Sequence, residues 1–209
     1  HLDQQASHQL AALEKASRDG FRCSPAEVGV ALHGEALEFH AAGDMAAALA
    51  AMRRAIAMLV SAADSHSAGD PARHADVLCN LASAVTFVGD WTDNAATLVD
   101  AIATADLGLA LFSADGSPPA FTPAALWHNR GHAGLRLAEL TGDRSALSRA
   151  VADFEKAHEM FTALSHASAV TENAAFMAKA KAKARLAKLD ERERIVLAEG
   201  DAPGREPAR

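Results

Sequence analysis

Residues 31–60, ALHGEALEFHAAGDMAAALAAMRRAIAMLV, contain two helix-patterned stretches separated by the pair Gly43-Asp44. The same pair returns at Gly89-Asp90 and at Gly142-Asp143, each time between two further helix-patterned stretches that carry small residues. Such recurrence is typical of a repeated helical hairpin. Since one amphipathic hairpin cannot bury its apolar face alone, hairpins of this kind stack into a solenoid whose inner wall forms a groove. The sequence therefore predicts an all-α fold.

The residues around each pair resemble the tetratricopeptide repeat family, which places packing residues at set positions on both sides of the turn. The Gly-Asp spacings of 46 and 53 residues (89 − 43 and 142 − 89) exceed the family period of about 34, so the units resemble elongated repeats of large bacterial signalling and effector proteins. The resemblance covers about residues 26–165 and implies a right-handed α-solenoid of stacked antiparallel hairpins, about three in number, with flanking capping helices. The matching residues are Leu32, Ala36, Phe39, Ala48, Met52 and Ala55; then Leu78, Asn80, Leu81, Ala82, Ala84 and Val85; then Trp127, Asn129, Gly131, Ala150, Phe154 and Ala157.

Proline and glycine divide the chain. Ser24 and Pro25 together predict a helix start, and Pro71 and the segment 116–119 separate the hairpins. We predict one helical domain over residues 1–200, with repeat units at about 26–66, 72–112 and 122–165 and a capping helix over 168–198. A leading helix is expected near residues 2–18, and residues 201–209 are expected to form a flexible tail.

Charge and composition narrow the choice of partner. The 209 residues have 50% hydrophobic content and a formal net charge of −7, which favours a soluble domain with a sizeable core and argues against nucleic acid as the partner. One basic run on the last helix is expected to be a solvated face, because acidic residues follow it at once. The run consists of Lys179, Lys181, Lys183, Arg185 and Lys188.

No membrane span or disulfide framework is expected. The apolar run over residues 45–60 contains Arg53 and Arg54, which indicates an amphipathic helix of a soluble protein. Cys23 and Cys79 are too few to form a disulfide framework. A cytoplasmic location is the expectation.

The resemblance also indicates which residues line the groove, because the first helix of each hairpin faces the concave side in this family. The residues carried over are Val30, His33, Leu37 and His40; Asp76, Cys79, Asn80, Ser83, Thr86 and Phe87; and Ala125, His128, Asn129, His132, Leu135 and Arg136.

These positions lack the basic residues by which some relatives clamp the C-terminal carboxylate of a chaperone. A chaperone-adaptor role is therefore not expected. Asn80 and Asn129 stand at a position where an amide could bind an extended peptide backbone, although asparagine there also serves helix packing in this family.

Histidines on the predicted groove allow a second interpretation. His128 and His132 are four residues apart and share a helix face, a spacing that can chelate zinc, copper or nickel. Against this stand the absence of a Cys-x-x-Cys motif and a distance of about 10 Å between neighbouring helices. The set that could bind a metal or small ligand is His33, His40, Cys79, His128 and His132, with Asp76 as a further ligand.

The sequence contains no phosphate-binding loop, Gly-x-Ser-x-Gly motif or kinase pattern. The leading hypothesis is a noncatalytic interaction or scaffold module that binds a peptide or protein surface, without a cofactor and with a homodimer as a possible assembly. The alternatives are a metal or small-ligand site at the histidines, and an enzyme that uses them as general acid or base.

Overall fold

The computed structural model describes residues 23–67, 69–112 and 120–200. These residues form seven helices and no strand, and helices that follow one another along the chain pack in pairs. This arrangement confirms the prediction of an all-helical, repeat-like fold. The expected leading helix at 2–18 and tail at 201–209 lie outside the described residues. The helices are α1 Pro25–Ala41, α2 Met45–His66, α3 Pro71–Trp91, α4 Ala95–Ala110, α5 Phe121–Thr141, α6 Arg144–Ala163 and α7 Ala167–Gly200.

Local residue choice explains where the helices begin. Ser24 and Glu27 form a capping box, in which the Glu27 backbone N–H donates to Ser24 Oγ at 3.2 Å and the Ser24 backbone N–H donates to Glu27 Oε2 at 2.8 Å. Asp44 and Asp143 cap α2 and α6 by accepting from backbone N–H groups of the first turn.

The three Gly-Asp pairs are not equivalent. Gly43 and Gly142 have φ values of +82° and +73°, a left-handed conformation that ends a helix and favours glycine. Gly89 instead lies inside α3, where a Cβ would approach the Leu98 side chain to 2.8 Å. The predicted turn at Gly89-Asp90 is therefore wrong by a few residues. Asp93, with φ of 50°, makes the turn, and Asn94 caps α4.

The core runs continuously between neighbouring hairpins. Leu32 of α1 and Met52 and Leu59 of α2 pack in one cluster with Leu78 and Leu81 of α3. Many of the remaining buried positions are alanines, whose small side chains let helices approach closely.

A partly buried group of three charged side chains connects α4, α5 and α6. Arg130 of α5 donates to the Asp153 carboxylate at 2.6 and 3.0 Å and also pairs with Asp106 of α4. Its guanidinium lies 4.3 Å from the centre of the Trp127 ring. These ion pairs connect α5 to both of its neighbouring helices.

Helix α2 is long and apolar enough, by length and composition alone, to cross a membrane. In this fold Ala48, Met52 and Leu59 lie in the core, whereas Arg53 and Arg54 are exposed. Helix α2 therefore packs one face against its neighbours and exposes two cations on another.

Candidate functional site

A half-open cavity of about 320 Å³ lies on the side of the molecule formed by the odd-numbered helices. Its walls come from α1, α3, α5 and α7, together with the end of α6. Most of the residues assigned to the groove from sequence meet here, although they belong to three different hairpins. They are His33, Leu37, Cys79, Asn80, Ser83, Thr86, Phe87, Ala125, His128, Asn129 and His132.

Five assigned residues lie elsewhere. Leu135 is 1% exposed and packs in the core with α6, and Val30 is exposed on another part of α1. His40 is stacked on Trp91 with ring centres 4.6 Å apart, and Asp76 accepts a hydrogen bond from Thr122. Arg136 forms ion pairs beyond the cavity.

Part of the cavity wall was not predicted from the sequence, because α7 was expected to be only a capping helix with a polar outer face. Ala169, Glu172 and Phe176 of α7 line the cavity, as do Phe121 and Phe161. Positions 169, 172, 173, 176 and 180 follow the three- and four-residue spacing of one helix face, and that pattern could have revealed a buried stripe on α7.

Aromatic and imidazole rings form an unbroken chain along the wall. Phe87 contacts His33 and His132 edge to face, with ring centres 5.7 and 5.9 Å apart. Phe176 continues the chain, with its ring centre 4.6 Å from His132 and 5.3 Å from His128. A wall of this kind offers flat, weakly polar surfaces on which another ring can pack.

Two of the three cavity histidines, His33 and His132, are neutral at pH 7. Burial lowers the pKa of His33 to about 4. Burial is also the main cause that lowers the pKa of His132 to about 4; His128 and Lys179 act in the same direction, and Asp90 and Glu139 oppose them. His128 Nδ1 lies 2.9 Å from Asn173 Oδ1, an acceptor, so this nitrogen carries the proton.

Asn80 and Asn129 each donate a side-chain hydrogen bond to a backbone carbonyl oxygen of the protein. Asn80 Nδ2 donates to the Asp76 carbonyl oxygen at 2.9 Å, and Asn129 Nδ2 donates to the Cys79 carbonyl oxygen at 3.1 Å. The second bond joins α5 to α3. These contacts favour the helix-packing role of both residues over the peptide-binding role.

The cavity does not resemble a metal site or a nucleophile site. Among the residues that the structure describes, no group of three His, Cys, Asp or Glu side chains is arranged to hold one ion. Burial first, and then the nearby Asp76, raise the pKa of the Cys79 thiol to about 12, so it is protonated at pH 7. Of the described residues that line the cavity, only Glu172 carries a formal charge.

A charged cluster begins one turn beyond the cavity on α5. Arg136 pairs with Asp90, Asp93 and Glu139, and Glu139 lies 3.0 and 3.2 Å from the ammonium groups of Lys179 and Lys183. Burial acts to raise the pKa of Glu139, but hydrogen bonds from both lysines and Arg136 outweigh it, and the pKa is lowered. We call these residues the charge clamp.

The basic run on α7 is largely exposed, as expected, and three of its lysines also form ion pairs. Lys179 and Lys183 lie near Glu139 of α5, and Lys181 lies 2.8 Å from Glu155 of α6. The run therefore combines a solvated face with contacts to the third hairpin.

No protein-family model, curated protein or solved structure matches this chain.

Proposed function

We propose that this chain is a noncatalytic interaction module that binds a peptide segment of a protein partner in the cavity between α1, α3, α5 and α7. In this proposal the stacked hairpins form a right-handed solenoid like that of the tetratricopeptide repeat family, and the cavity is the deepest part of its concave face. The supporting observation is that residues assigned to the groove from three separate hairpins line one cavity.

The chemistry of the walls favours an uncharged, partly apolar occupant. Rings of Phe87, Phe121, Phe161 and Phe176 supply apolar surface, and His33 and His132 carry no charge at pH 7. An anion would find no cation there, because no Lys or Arg of the described ranges lines the cavity. Side chains that insert into such pockets contribute most of the affinity of many protein interfaces.

A partner of this type agrees with an acidic chain of net charge −7, which does not favour nucleic acid or an anionic membrane surface. We propose a cytoplasmic setting and a heterologous peptide as the bound segment. Homodimer formation is compatible with this proposal, because it would use surfaces other than the cavity.

The proposal is tested by selecting a random dodecapeptide library on the immobilised protein. Affinities of the selected peptides are then measured by fluorescence anisotropy. Ser83 is half-buried in the cavity wall, so Ser83→Trp should fill part of the space and weaken binding by at least about tenfold, or about 1.4 kcal/mol.

The matched control is Ser148→Trp, which adds the same bulk at an exposed position of α6. Circular dichroism and melting curves verify that both variants fold. Selected peptides that bind Ser83→Trp as tightly as the unaltered protein would show that the cavity is not the binding site.

A second candidate is a small neutral ligand. The cavity volume of about 320 Å³ lies at the lower end of the range of small-molecule sites, which is the observation that favours it. A screen of neutral aromatic fragments by ligand-observed NMR, repeated on Ser83→Trp, tests this candidate.

A further inference from the structure

Helices α4 and α7 each carry a row of exposed apolar side chains. On α4, Val99 and Leu107 are 51% and 63% exposed, and on α7, Leu186 and Leu189 are 61% and 58% exposed. Exposed alanines complete each row at helical spacing, so each row forms an apolar stripe on the face turned away from the core. The α4 stripe consists of Ala96, Val99, Ala103, Leu107 and Ala110, and the α7 stripe consists of Ala175, Ala178, Ala182, Leu186 and Leu189.

Neither stripe is what its position in the fold requires. The outward face of α2 is interrupted by the exposed Arg53 and Arg54, and that of α6 by the exposed Arg149 and Lys156, whereas the stripe of α4 contains no charge. Among the described helices, α7 packs only against α5 and α6, which leaves its stripe on the open side. Contiguous exposed apolar surface of this kind is typical of a protein-protein contact.

The two stripes match in spacing when the helices run antiparallel. Read backwards, the α4 stripe has intervals of 3, 4, 4 and 3 residues (110 to 107 to 103 to 99 to 96), and the α7 stripe read forwards has the same intervals. Leucine faces alanine in two of the pairs and alanine faces alanine in two more, which lets the helices approach closely. The facing pairs are Ala175 and Ala110, Ala178 and Leu107, Ala182 and Ala103, Leu186 and Val99, and Leu189 and Ala96.

Charge decides which stripes can pair. Asp100 and Asp106 flank the α4 stripe on its two sides, and Lys179 and Arg185 flank the α7 stripe in the same way. Asp106 and Lys179 also form ion pairs within the chain, yet their side chains stay 52% and 53% exposed. Two α4 stripes would bring carboxylates together and two α7 stripes would bring cations together, whereas an α4 stripe against an α7 stripe brings opposite charges together.

We propose that the α7 stripe of one copy of this chain packs antiparallel on the α4 stripe of a second copy. Each stripe spans 14 residues, or about 21 Å, which is short for a stable interface, so we expect an affinity in the micromolar range. A contact between two different surfaces is heterologous, so a pair of copies leaves one stripe of each kind free to bind further copies. No stripe residue lines the cavity, and the inference is therefore independent of the proposed function.

Sedimentation velocity at concentrations up to about 200 μM tests the contact. Leu107→Asp disrupts only the α4 stripe and Leu186→Asp only the α7 stripe, so each variant alone should self-associate at least about tenfold more weakly than the unaltered protein. An equimolar mixture of the two should recover a dimer, because the first variant keeps its α7 stripe and the second its α4 stripe. Val60→Asp, at an exposed position of α2, is the matched control and should associate like the unaltered protein.

Several outcomes would overturn the inference. These are an unaltered protein that stays monomeric, either variant associating as strongly as the unaltered protein, and a mixture that stays monomeric although circular dichroism shows both variants folded. A second measurement covers an aspartate variant that fails to fold. Oxidation of mixed Ala103→Cys and Ala182→Cys proteins should give a disulfide-linked dimer above the background of either variant alone, and its absence would contradict the antiparallel contact.

Discussion

Two stretches of the same face of α5 lie next to each other and have opposite chemistry. The first carries His128 and His132, whose rings line a cavity beside Phe176. The second carries Arg136 and Glu139, whose charges pair with the α3–α4 turn and with Lys179 of α7. Residues that share one face of a helix can therefore belong to two regions of different chemistry in the folded protein.

The two regions differ in how their polar groups are paired. In the charge clamp, each carboxylate lies against at least one cation, and the cations come from separate helices. Among the described residues, Arg136 Nε and Glu139 Oε1 of the clamp and His33 Nε2 of the cavity wall are all shielded atoms without a hydrogen bond of good geometry, but the two clamp atoms lie within ion-pair distance of an opposite charge. We infer that the clamp contributes stability.

The largest expected effect comes from breaking the clamp. In Glu139→Ala the half-buried Arg136 and the ammonium groups of Lys179 and Lys183 lose their shared carboxylate. We expect the free energy of unfolding to fall by about 2–4 kcal/mol in urea denaturation. Glu159→Ala, which removes an exposed carboxylate 3.5 Å from Lys156, is the control and should cost less than about 0.5 kcal/mol. Equal losses in the two variants would contradict a stabilising clamp.

Acidification should destabilise the cavity region by a comparable amount for each buried histidine. The pKa values of His33 and His132 are lowered to about 4 in the fold, against 6.5 in the unfolded chain. The unfolded state therefore takes up protons first, and stability is lost as pH falls from about 6.5 to about 4. One pKa unit corresponds to about 1.4 kcal/mol, so we expect a loss of about 3 kcal/mol for each histidine over this interval.

The pH effect is measured by urea denaturation at several pH values. The paired Glu139 has a lowered pKa, so its contribution is present above about 4.5 and is lost only below that value. His33→Leu should reduce the slope of unfolding free energy against pH between pH 6.5 and 4.5. In this range Glu139 is still ionised, so its protonation does not add to the loss of stability. An unchanged slope in that variant would show that His33 is not held neutral in the fold.

A smaller loss of stability is expected when the hydrogen bonds between α7 and the third hairpin are removed. Asn173 is fully buried, accepts from His128 Nδ1 and donates to the Phe154 carbonyl oxygen at 2.8 Å. Asn173→Ala should lower the free energy of unfolding by about 1–2 kcal/mol, because both partners lose a hydrogen bond. Thr171→Ala, at an exposed position of α7, is the control. A loss no greater than that of the control would mean that Asn173 does not fix α7 against the third hairpin.

Salt concentration should have the smallest effect, and the effect should differ between the cavity and the charge clamp. Because Glu172 is the only Asp, Glu, Lys or Arg among the described residues that line the cavity, peptide affinity should change less than about twofold between 0.05 and 0.5 M NaCl. The stability lost in Glu139→Ala should shrink over the same range, since salt screens the partly exposed ion pairs. Affinity that falls steeply with salt would point to a charged partner segment.

Much of the fold was accessible from local sequence signals. Ser24, Asp44 and Asp143 mark helix starts through their own side-chain caps, and Gly43 and Gly142 mark ends through positive φ. Gly89 could not be told apart from them, because its role depends on Leu98 packing against it. Most of the groove positions carried over from the resemblance to the tetratricopeptide repeat family also line the cavity.

The remainder of the site depends on residues that are distant along the chain. The aromatic wall from Phe161 and Phe176, and the bond between His128 and Asn173, exist only because α7 packs beside the third hairpin. The same packing brings three exposed lysines of α7 into ion pairs with α5 and α6.

The amino-acid sequence by itself determined the helices, their ends and the side of each hairpin that carries histidine, because caps, glycines and apolar spacing act within a few residues. Only the tertiary structure decided which rings surround the cavity, which charges cancel and which nitrogen stays unpaired. Those properties depend on contacts between helices, such as the one that joins residues 128 and 173, and no local pattern encodes the neighbour that a side chain will meet.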